Sequence, residues 1–312
     1  MQLSVIICTW NRAESLRRCL ARFTEIALPK KGDWEILVVN NNSTDNTSRI
    51  VKSFSALLPI REVLEPVQGL SAARNRGVHE ARGELLLWTD DDVLVSMNWL
   101  LEYASACTRN PSVAFFGGPI EPVFEGSPAS WLSEGWRAVE AAFASRDLGS
   151  SECRLCPDTL PYGANFAVRR HVQKHFLYDL ELGRKGTEML SGEESAVMTA
   201  VLEAGYSGLW LPGASVSHLI EPDRQRIRYL RDYYQGIGAL SVRRNQELRL
   251  ESAGRGQKRR ITAIPLWLIR RLFMAECMYL ITKRLANPEV WLGHLRVASI
   301  SRGAVNEMLR PS

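Results

Sequence analysis

The chain has 312 residues, of which 46% are hydrophobic and 23% charged, a composition that excludes disordered, collagen-like and coiled-coil classes. This length suffices for one large α/β domain plus an extension. Lys plus Arg against Asp plus Glu count 21 to 28 over residues 1–223 but 18 to 6 over residues 224–312, so the net charge of +5 is the sum of −7 and +12. Such a basic segment fits either a polyanionic surface, namely anionic lipid headgroups or nucleic acid, or a solvated helical surface.

The cysteines and the N-terminal run predict the cellular compartment. Six cysteines are scattered along the chain, and MQLSVIICTW enters a predicted strand without a charged segment or a small-residue cleavage site. We therefore expect a reduced, cytoplasmic protein. Because no uncharged apolar stretch reaches the roughly 18 residues that a spanning helix needs, we also expect no transmembrane segment.

Strands and helices alternate up to residue 117. β-branched runs that end in polar loops predict the strands, and apolar residues at helical spacing predict the helices. The predicted order is strand 3–8, helix 13–23, strand 35–39, helix 46–58, strand 60–64, a glycine-bounded turn and helix start over 69–77, strand 84–88, helix 98–108 and strand 113–117. This alternation predicts a parallel sheet with right-handed crossovers.

The second half of the chain is less regular. Its predicted elements are helical stretches within 126–160, a strand over 166–168 followed by a helix, a helix over 195–204, a strand over 207–211 and helices from residue 227 onward. Gly205 is a suitable C-cap for the helix that precedes it. The C-terminal extension is therefore predicted to be α-helical.

Three consecutive aspartates, Asp90, Asp91 and Asp92, follow the apolar run of the predicted strand 84–88. Like charges a few ångströms apart repel one another and raise one another's pKa, so the cluster is costly unless a cation or ligand compensates it. In open α/β sheets, ligands bind at the carboxyl ends of strands. The aspartates are therefore the first candidate site.

Several motifs in order resemble those of the family 2 glycosyltransferases. They are SVIICTWNR (4–12), VVNNNSTDNT (38–47), GLSAARNRG (69–77), LWTDDDV (87–93), YGANFAVRR (162–170), GEESAVMTAVLEAGY (192–206) and VSHLIEPDR (216–224). The resemblance implies the GT-A fold, which is an α/β fold with a mostly parallel mixed sheet flanked by helices.

The resemblance also implies a domain division. It places a GT-A catalytic domain at 1–224, with a nucleotide-binding half at 1–118 and an acceptor-side half at 119–224. A basic α-helical extension follows at 225–312.

The resemblance gives the aspartates a metal-binding role. A divalent cation held by carboxylates neutralises the charge that builds on a departing diphosphate, and hard oxygen ligands suit Mg²⁺ or Mn²⁺. By analogy Asp92 holds the metal, Asp90 reaches the ribose or the metal, and Asp91 orients a cation such as Arg74. His218 matches a histidine that often completes the metal or diphosphate site in similar enzymes; taken alone, a histidine after a strand is more often structural.

The same resemblance places the nucleotide across the first two strand ends, at Thr9 and Trp10. Trp10 offers a flat face for a base, and Arg12 and Arg74 can bind phosphate oxygens bidentately. Asn41 stands where the family usually has an aspartate that accepts the uracil imide proton. An amide oxygen can accept that bond, so a UDP-sugar is favoured while the base stays open. A capped turn is the alternative role for Asn41.

Glu193 and Glu194 match the acidic pair of the family, whose second member usually removes the proton of the acceptor hydroxyl. We therefore predict Glu194 as the catalytic base, with Glu193 as the second choice. Glutamate stands where the family more often has aspartate, and it reaches about one methylene further. The structural alternative is a helix start at which acidic residues are favoured by the macrodipole.

Cys153, Cys156, His171 and His175 match a zinc-finger spacing formally. Such a site would favour nucleic acid as the partner. However, the segment between the two pairs matches a glycosyltransferase acceptor-side loop, and a large α/β protein needs no finger to fold. We therefore expect no nucleic-acid partner, and a structural zinc remains the alternative to free thiols and surface histidines.

The basic tail alternates apolar and cationic runs, including 258–260, 266–281 and 283–284. These helices could contact a membrane peripherally and bring the enzyme to a lipid-linked acceptor. Packing on the catalytic domain and dimerisation are the other two options. Acceptor recognition is expected within 119–165, where Trp131, Trp136 and Tyr162 either stack on sugars or serve as core aromatics.

The sequence thus predicts an inverting, metal-dependent glycosyltransferase that moves a sugar from a nucleotide sugar to a glycan or lipid-linked acceptor. It would lie in the cytoplasm or peripherally on the cytoplasmic membrane face. A sugar-1-phosphate nucleotidyltransferase would need a glycine-rich loop after the first strand, which residues 9–12 lack. A non-catalytic scaffold would be recognised by a damaged acidic pair or triad, and both are intact.

Overall fold

The computed structural model describes residues 3–28, 34–186, 189–252 and 264–310, so the basic run 258–260 lies outside the described residues. The chain forms two compact units. The first comprises Met1–Val123, Ala144–Gly186 and Gly192–Ile220, and the second comprises Phe124–Phe143, Thr187–Ser191 and Glu221–Ser312. The predicted boundary at residue 224 stays a prediction; by these units, the segment 124–143 belongs with the C-terminal helices.

The first unit is built on an eight-stranded mixed sheet. Its strands, in spatial order, are β3 (Ile60–Leu64), β2 (Trp34–Asn40), β1 (Leu3–Thr9), β4 (Leu85–Asp90), β9 (Phe166–Arg169), β6 (Val113–Gly117), β10 (Ser207–Trp210) and β8 (Cys153–Leu155). β9 runs antiparallel to both of its neighbours, and β8 runs antiparallel to β10. The other pairs are parallel. This confirms the predicted α/β fold with a mostly parallel mixed sheet.

Helices cover this sheet because its central strands are apolar on both faces. They are α1 (Ala13–Phe23), α2 (Thr47–Phe54), α3 (Leu70–Glu80), α4 (Trp99–Arg109), α7 (Arg170–Gln173) and α8 (Glu193–Glu203). α3 lies very close to the sheet, since a Cβ on Gly77 would come within 2.8 Å of the Ile6 side chain and 3.2 Å of Trp88. Gly205, with φ 86°, lies in the left-handed region just after α8, as predicted.

A second, three-stranded sheet was not predicted from the sequence. It consists of β5 (Val93–Val95), β11 (Val216–Ile220) and β7 (Ile120–Phe124), in that spatial order. β5 begins directly after the three aspartates and runs antiparallel to β11, with Val93 opposite His218. This pairing brings His218 next to the aspartates.

Asn165 is a fully buried polar residue that joins four segments of the first unit. Its Oδ1 accepts hydrogen bonds from Trp99 Nε1 and Tyr103 Oη, both at 2.9 Å. Its Nδ2 donates to the carbonyl oxygens of Pro119 at 2.9 Å and Ala214 at 2.7 Å. The whole amide is therefore satisfied, and its removal would leave buried partners unpaired.

Asn165→Ala is expected to lower the free energy of unfolding by about 3 to 5 kcal/mol, because it orphans two buried donors and two buried carbonyls. Chemical denaturation measures this, with the exposed Asn98→Ala as the control, which should change stability by less than about 0.5 kcal/mol. Equal stabilities for the two variants would contradict the role given to Asn165.

The second unit is helical. It contains α5 (Ser130–Glu134), α6 (Trp136–Val139), α9 (Ile227–Ser252), α10 (Leu266–Leu285) and α11 (Pro288–Leu309). Trp136 stacks on Phe143, and Trp131 meets Trp291 edge to face with ring centroids 5.7 Å apart. These contacts give the two tryptophans packing partners within this unit. Over the described ranges, no helix combines the length and hydropathy that a bilayer crossing requires.

Candidate active site

The carboxyl ends of the central strands bring most of the predicted residues to one edge of the main sheet. In the parallel register, Thr9 of β1 lies opposite Asn40 of β2, and Cys8 lies opposite Asp90 of β4. Trp10 follows at the end of β1 with 39% of its surface exposed, so its ring face is accessible. The edge is thus polar and open where the sheet interior is apolar.

Arg12 holds the aspartate cluster together. Its Nη1 lies 2.7 Å from Asp91 Oδ1 and 2.9 Å from Asp92 Oδ2, while the Thr9 hydroxyl donates to Asp91 Oδ2 at 2.7 Å. Burial raises the pKa of Asp91 to about 7, against the opposing charge of Arg12. Asp91 was predicted to orient a cation such as Arg74, and the cation that it contacts in the structure is Arg12, which follows β1 directly.

The donor set fits a divalent cation in its chemistry. Asp92 Oδ2 and His218 Nε2 lie 3.4 Å apart, and both side chains are 4% exposed. Asp90 lies two residues away, with a pKa raised by burial and by Asp92 and opposed by Arg74 and His218. Carboxylate and imidazole groups suit Mn²⁺ or Mg²⁺. Within the described ranges, however, no three His, Cys, Asp or Glu side chains are arranged as a metal site, and Arg12 donates a hydrogen bond to one oxygen of Asp92.

Arg74 belongs to a second cluster with the two glutamates at the start of α8. Its Nη1 lies 2.8 Å from Glu193 Oε1 and 3.5 Å from Glu194 Oε2, and its side chain is only 3% exposed. Tyr178 packs against the guanidinium, 5.4 Å from the ring centroid. The sequence predicted that Arg74 binds phosphate. In the structure its guanidinium is instead buried and paired with the two glutamates.

The two glutamates differ in their proton affinity. Burial and the neighbouring Glu194 raise the pKa of Glu193 to about 8, against the charge of Arg74. Burial would also raise the pKa of Glu194, but Arg74, Glu193 and the Gly163 N–H hold it below its ordinary value. Oε2 of each glutamate is buried and accepts no hydrogen bond from a described residue. One proton shared by the pair would satisfy both atoms and leave Glu194 as the carboxylate.

This difference predicts a pH effect on stability. Since the pKa of Glu193 is higher in the folded chain than in the unfolded chain, its contribution is complete below the ordinary glutamate pKa and is lost as the pH rises through about 8. Unfolding in urea at about pH 5 and about pH 9 measures this contribution. Glu193→Gln should reduce the loss of stability between the two; an unchanged loss would contradict the shared proton.

Glycine is required where the backbone passes the glutamate cluster. The Gly163 N–H donates to Glu194 Oε1 at 3.3 Å, and a Cβ at this position would lie 2.5 Å from Arg74 Nη2. Gly183 has φ 85°, and a Cβ at this position would lie 3.3 Å from the carboxyl carbon of Glu193. The motif YGANF therefore supplies a backbone donor to the predicted base, a role that the sequence alone did not reveal.

Asn41 is buried and fully engaged. Its Nδ2 donates to the carbonyl oxygens of Glu65 and Val67, and its Oδ1 accepts from the Gly69 N–H at 2.8 Å and from Gln68 Nε2 at 3.4 Å. The side chain thus fixes the loop between β3 and α3. This geometry fits the capped-turn alternative and leaves its amide oxygen already bonded.

Cys8, at the end of β1, is near groups of both clusters. Cys8 is half-buried, and desolvation raises the pKa of its thiol to about 12, while the charges that act on it include Arg74, Asp90, Asp91 and Glu193. The charges of Glu193, Glu194 and Asp90 act in turn on Arg74, so the aspartates and the glutamates lie within electrostatic range of one another.

The four residues with zinc-finger spacing do not form a cluster. Cys153 lies in β8, Cys156 is exposed before a 3₁₀ turn, and both are free thiols. No grouping of His, Cys, Asp or Glu suited to a metal includes them in the described parts of the chain.

Tyr162 packs under Arg146, whose guanidinium lies 5.0 Å from the ring centroid.

Comparison with known proteins gives this site a family. Residues 4–170 match the family model described as glycosyl transferase family 2. Glycosyltransferase AglE of Haloferax volcanii is 26% identical over 269 residues, which cover 86% of this chain and 80% of that protein. Succinoglycan biosynthesis protein ExoM of Rhizobium meliloti is 22% identical over 235 residues, or 74% of this chain and 71% of the relative.

Solved structures agree on the fold. A mannosyltransferase from Pyrobaculum calidifontis, PcManGT, in complex with GDP-Man and Mn²⁺, superposes with a TM-score of 0.58 at 17% identity, over 96% of this chain and 86% of that one. Residues 1–349 of TarS from S. aureus, in complex with UDP-GlcNAc, give 0.56 at 18% identity, over 98% and 90%. The family match spans more than half of the sequence and includes the strand ends that carry the aspartates, so the chain belongs to glycosyl transferase family 2 and is a glycosyltransferase.

Proposed function

We propose that the protein moves one sugar from a nucleoside-diphosphate sugar to a glycan or lipid-linked acceptor, with inversion at the anomeric carbon and with the assistance of Mg²⁺ or Mn²⁺. The observation that carries this proposal is Glu194. It is a half-buried carboxylate, 15% exposed, whose pKa Arg74 holds below its ordinary value, and the same arginine also acts on the charge of Asp90. The intact acidic groups argue against a non-catalytic scaffold.

Glu194 is the proposed general base. It removes the proton of the acceptor hydroxyl while that oxygen attacks the anomeric carbon in line with the departing diphosphate. Arg74 and the Gly163 N–H keep the carboxylate ionised and orient it. Glu193 carries the shared proton and acts as a positioning residue, because its Oε1 is occupied by Arg74.

Asp92 and His218 would hold the metal, with Asp90 as the further oxygen donor. When bound, a divalent cation there acts as a Lewis acid that neutralises charge on the leaving diphosphate. Arg12 would then retain Asp91, which keeps the loop after β1 at the site.

The donor is proposed to be a UDP-sugar. Trp10 provides an exposed ring for the base at the strand end, and solved neighbours of the same fold were obtained with UDP-GlcNAc and with GDP-Man. Since Asn41 is bonded to backbone groups, base selection falls to other atoms at this edge. The acceptor is proposed to be a glycan or a lipid-linked acceptor, in line with a relative named for succinoglycan biosynthesis, and to be reached from the cytoplasmic face of a membrane.

A donor panel tests this proposal. The protein with Mn²⁺ is mixed in turn with UDP-, GDP-, dTDP- and CMP-sugars, and thermal shift and nucleotide release are read. We expect one nucleoside-diphosphate sugar, with uracil as its base, to raise Tm and to release its nucleotide slowly in water. A protein that binds none of them would overturn the proposed function.

A further inference from the structure

The outer face of α10 is apolar and open to solvent. The inner side chains of this helix, such as Leu268, Ala275 and Tyr279, are buried within the second unit. On the outer face, six large apolar side chains are between 51 and 82% exposed: Trp267, Phe273, Met274, Leu280, Ile281 and Leu285. Contiguous apolar surface on this scale marks an interaction site in soluble proteins.

The charges on this face are cationic and lie toward its two ends. Arg270 and Arg271 are exposed near the start of α10, and Arg284 is exposed near its end. Glu276 is the one acidic residue in the helix sequence, and it is bonded to Arg231 and Arg302. An apolar centre flanked by cations is therefore presented to the solvent.

A second copy of the chain does not suit this face. Two helices paired by a two-fold axis would bring the same or the opposite ends together, and either arrangement sets arginine against arginine. An anionic bilayer offers the complement: acyl chains for the apolar centre and phosphates for the arginines, whose stems can extend to the headgroups.

We propose that the outer face of α10 docks on a membrane surface that contains anionic lipid. Phe273, Leu280 and their apolar neighbours enter the boundary between headgroups and acyl chains, and Arg270 and Arg284 bind lipid phosphates. The inference names the surface and the lipid class of the proposed peripheral contact, and it does not depend on catalysis.

Vesicle flotation of the full chain tests this docking. Vesicles are made of phosphatidylcholine with or without phosphatidylglycerol. We expect binding only when phosphatidylglycerol is present, a loss of about fivefold for each of Arg270→Gln and Arg284→Gln, and a loss of at least about tenfold for Phe273→Ser combined with Leu280→Ser. Arg49→Gln and Leu57→Ser, which change exposed residues of the first unit, are the matched controls.

Circular dichroism checks the folding of every variant, so a loss of vesicle binding by a folded variant is not caused by unfolding. Absence of vesicle binding by the folded wild type, or equal binding by outer-face and control variants, would overturn the docking. So would a dimer in sedimentation that Phe273→Ser with Leu280→Ser dissociates, since the occupant would then be a second copy. Sugar transfer in solution could persist in each case.

Arg184 lies in the loop before α8. The Leu70 N–H donates to the Arg184 carbonyl at 2.9 Å, and the preceding Gly69 N–H donates to Asn41 at the sheet edge. Its guanidinium is exposed and makes no side-chain hydrogen bond or ion pair with another residue of the described ranges. Its guanidinium lies within electrostatic range of Asp90.

The sequence predicted that Arg12 and Arg74 bind the phosphates of the donor. Arg12 is paired with aspartates and Arg74 with glutamates, whereas a nucleoside diphosphate needs an accessible cation. We propose that Arg184 binds the diphosphate of the donor and so acts as a positioning residue. This inference rests on the proposed use of a nucleoside-diphosphate sugar.

Affinity for UDP and for uridine, measured by calorimetry in Mn²⁺, tests the assignment. Arg184→Gln should weaken UDP binding about tenfold or more, leave uridine binding unchanged and be partly rescued by Arg184→Lys. Lys185→Gln, which removes the adjacent exposed cation, is the matched control and should bind UDP normally. Unchanged UDP affinity in Arg184→Gln would overturn the assignment alone, whereas a wild type that binds no nucleoside diphosphate would overturn the proposed function.

Discussion

Glu194→Gln is expected to lower turnover by at least about a hundredfold while donor affinity stays within about twofold of the wild type. The amide cannot accept the acceptor proton, yet it preserves the size of the side chain and a hydrogen-bond acceptor for the Gly163 N–H. Initial rates at saturating donor and acceptor measure kcat, and calorimetry measures donor binding.

Glu193→Gln is the matched control for this experiment. Its amide imitates the protonated carboxyl that the raised pKa of Glu193 favours, so Arg74 keeps its acceptor and Glu194 stays ionised. We expect the activity of Glu193→Gln to fall far less than that of Glu194→Gln. The reverse order would make Glu193 the base.

Asp92→Ala is expected to abolish the part of donor affinity that depends on Mn²⁺, which should be at least about tenfold in the wild type. The carboxylate is buried beside His218, and its removal eliminates the central oxygen ligand of the proposed site. Calorimetric titration of UDP with and without Mn²⁺ measures the difference.

Two further variants separate loss of the metal site from other effects of the Asp92 substitution. Asp158→Asn removes an exposed carboxylate elsewhere in the first unit and should keep the full effect of Mn²⁺. Asp92→Asn keeps an acceptor for Arg12 and so separates loss of metal from loss of the loop. A Mn²⁺ effect of wild-type size in both Asp92 variants would remove Asp92 from the metal site.

The fold was predictable where elements are long and periodic. β1, β2 and β4 were found because buried parallel strands are continuous apolar runs. α2 was predicted to reach residue 58 but ends at Phe54, and residues 55–58 form a turn; Pro59 disfavours helical backbone at Leu58 itself. The strands β5, β7, β8 and β11 were missed: β5 has three residues, and polar or charged residues interrupt the other three. Strands of similar length such as β6 were found because they are apolar runs.

The site was predictable to the level of which residues share the sheet edge, because strand ends determine that. The pairing of each cation with its carboxylate could not be predicted from the sequence. Arg74 lies on α3 and Glu193 starts α8, so their 2.8 Å contact depends on how the two helices pack. Asn41 shows the same limit, since its partners are carbonyls more than twenty residues away, at Glu65 and Val67.

The stereochemistry of donor hydrolysis tests the central claim most directly, because it needs no knowledge of the acceptor. When water replaces the acceptor at Glu194, proton NMR can identify the first anomer of the free sugar before it equilibrates. A single displacement assisted by one base predicts the anomer opposite to that of the donor. First release of the donor's own anomer would contradict an inverting transferase with Glu194 as its base.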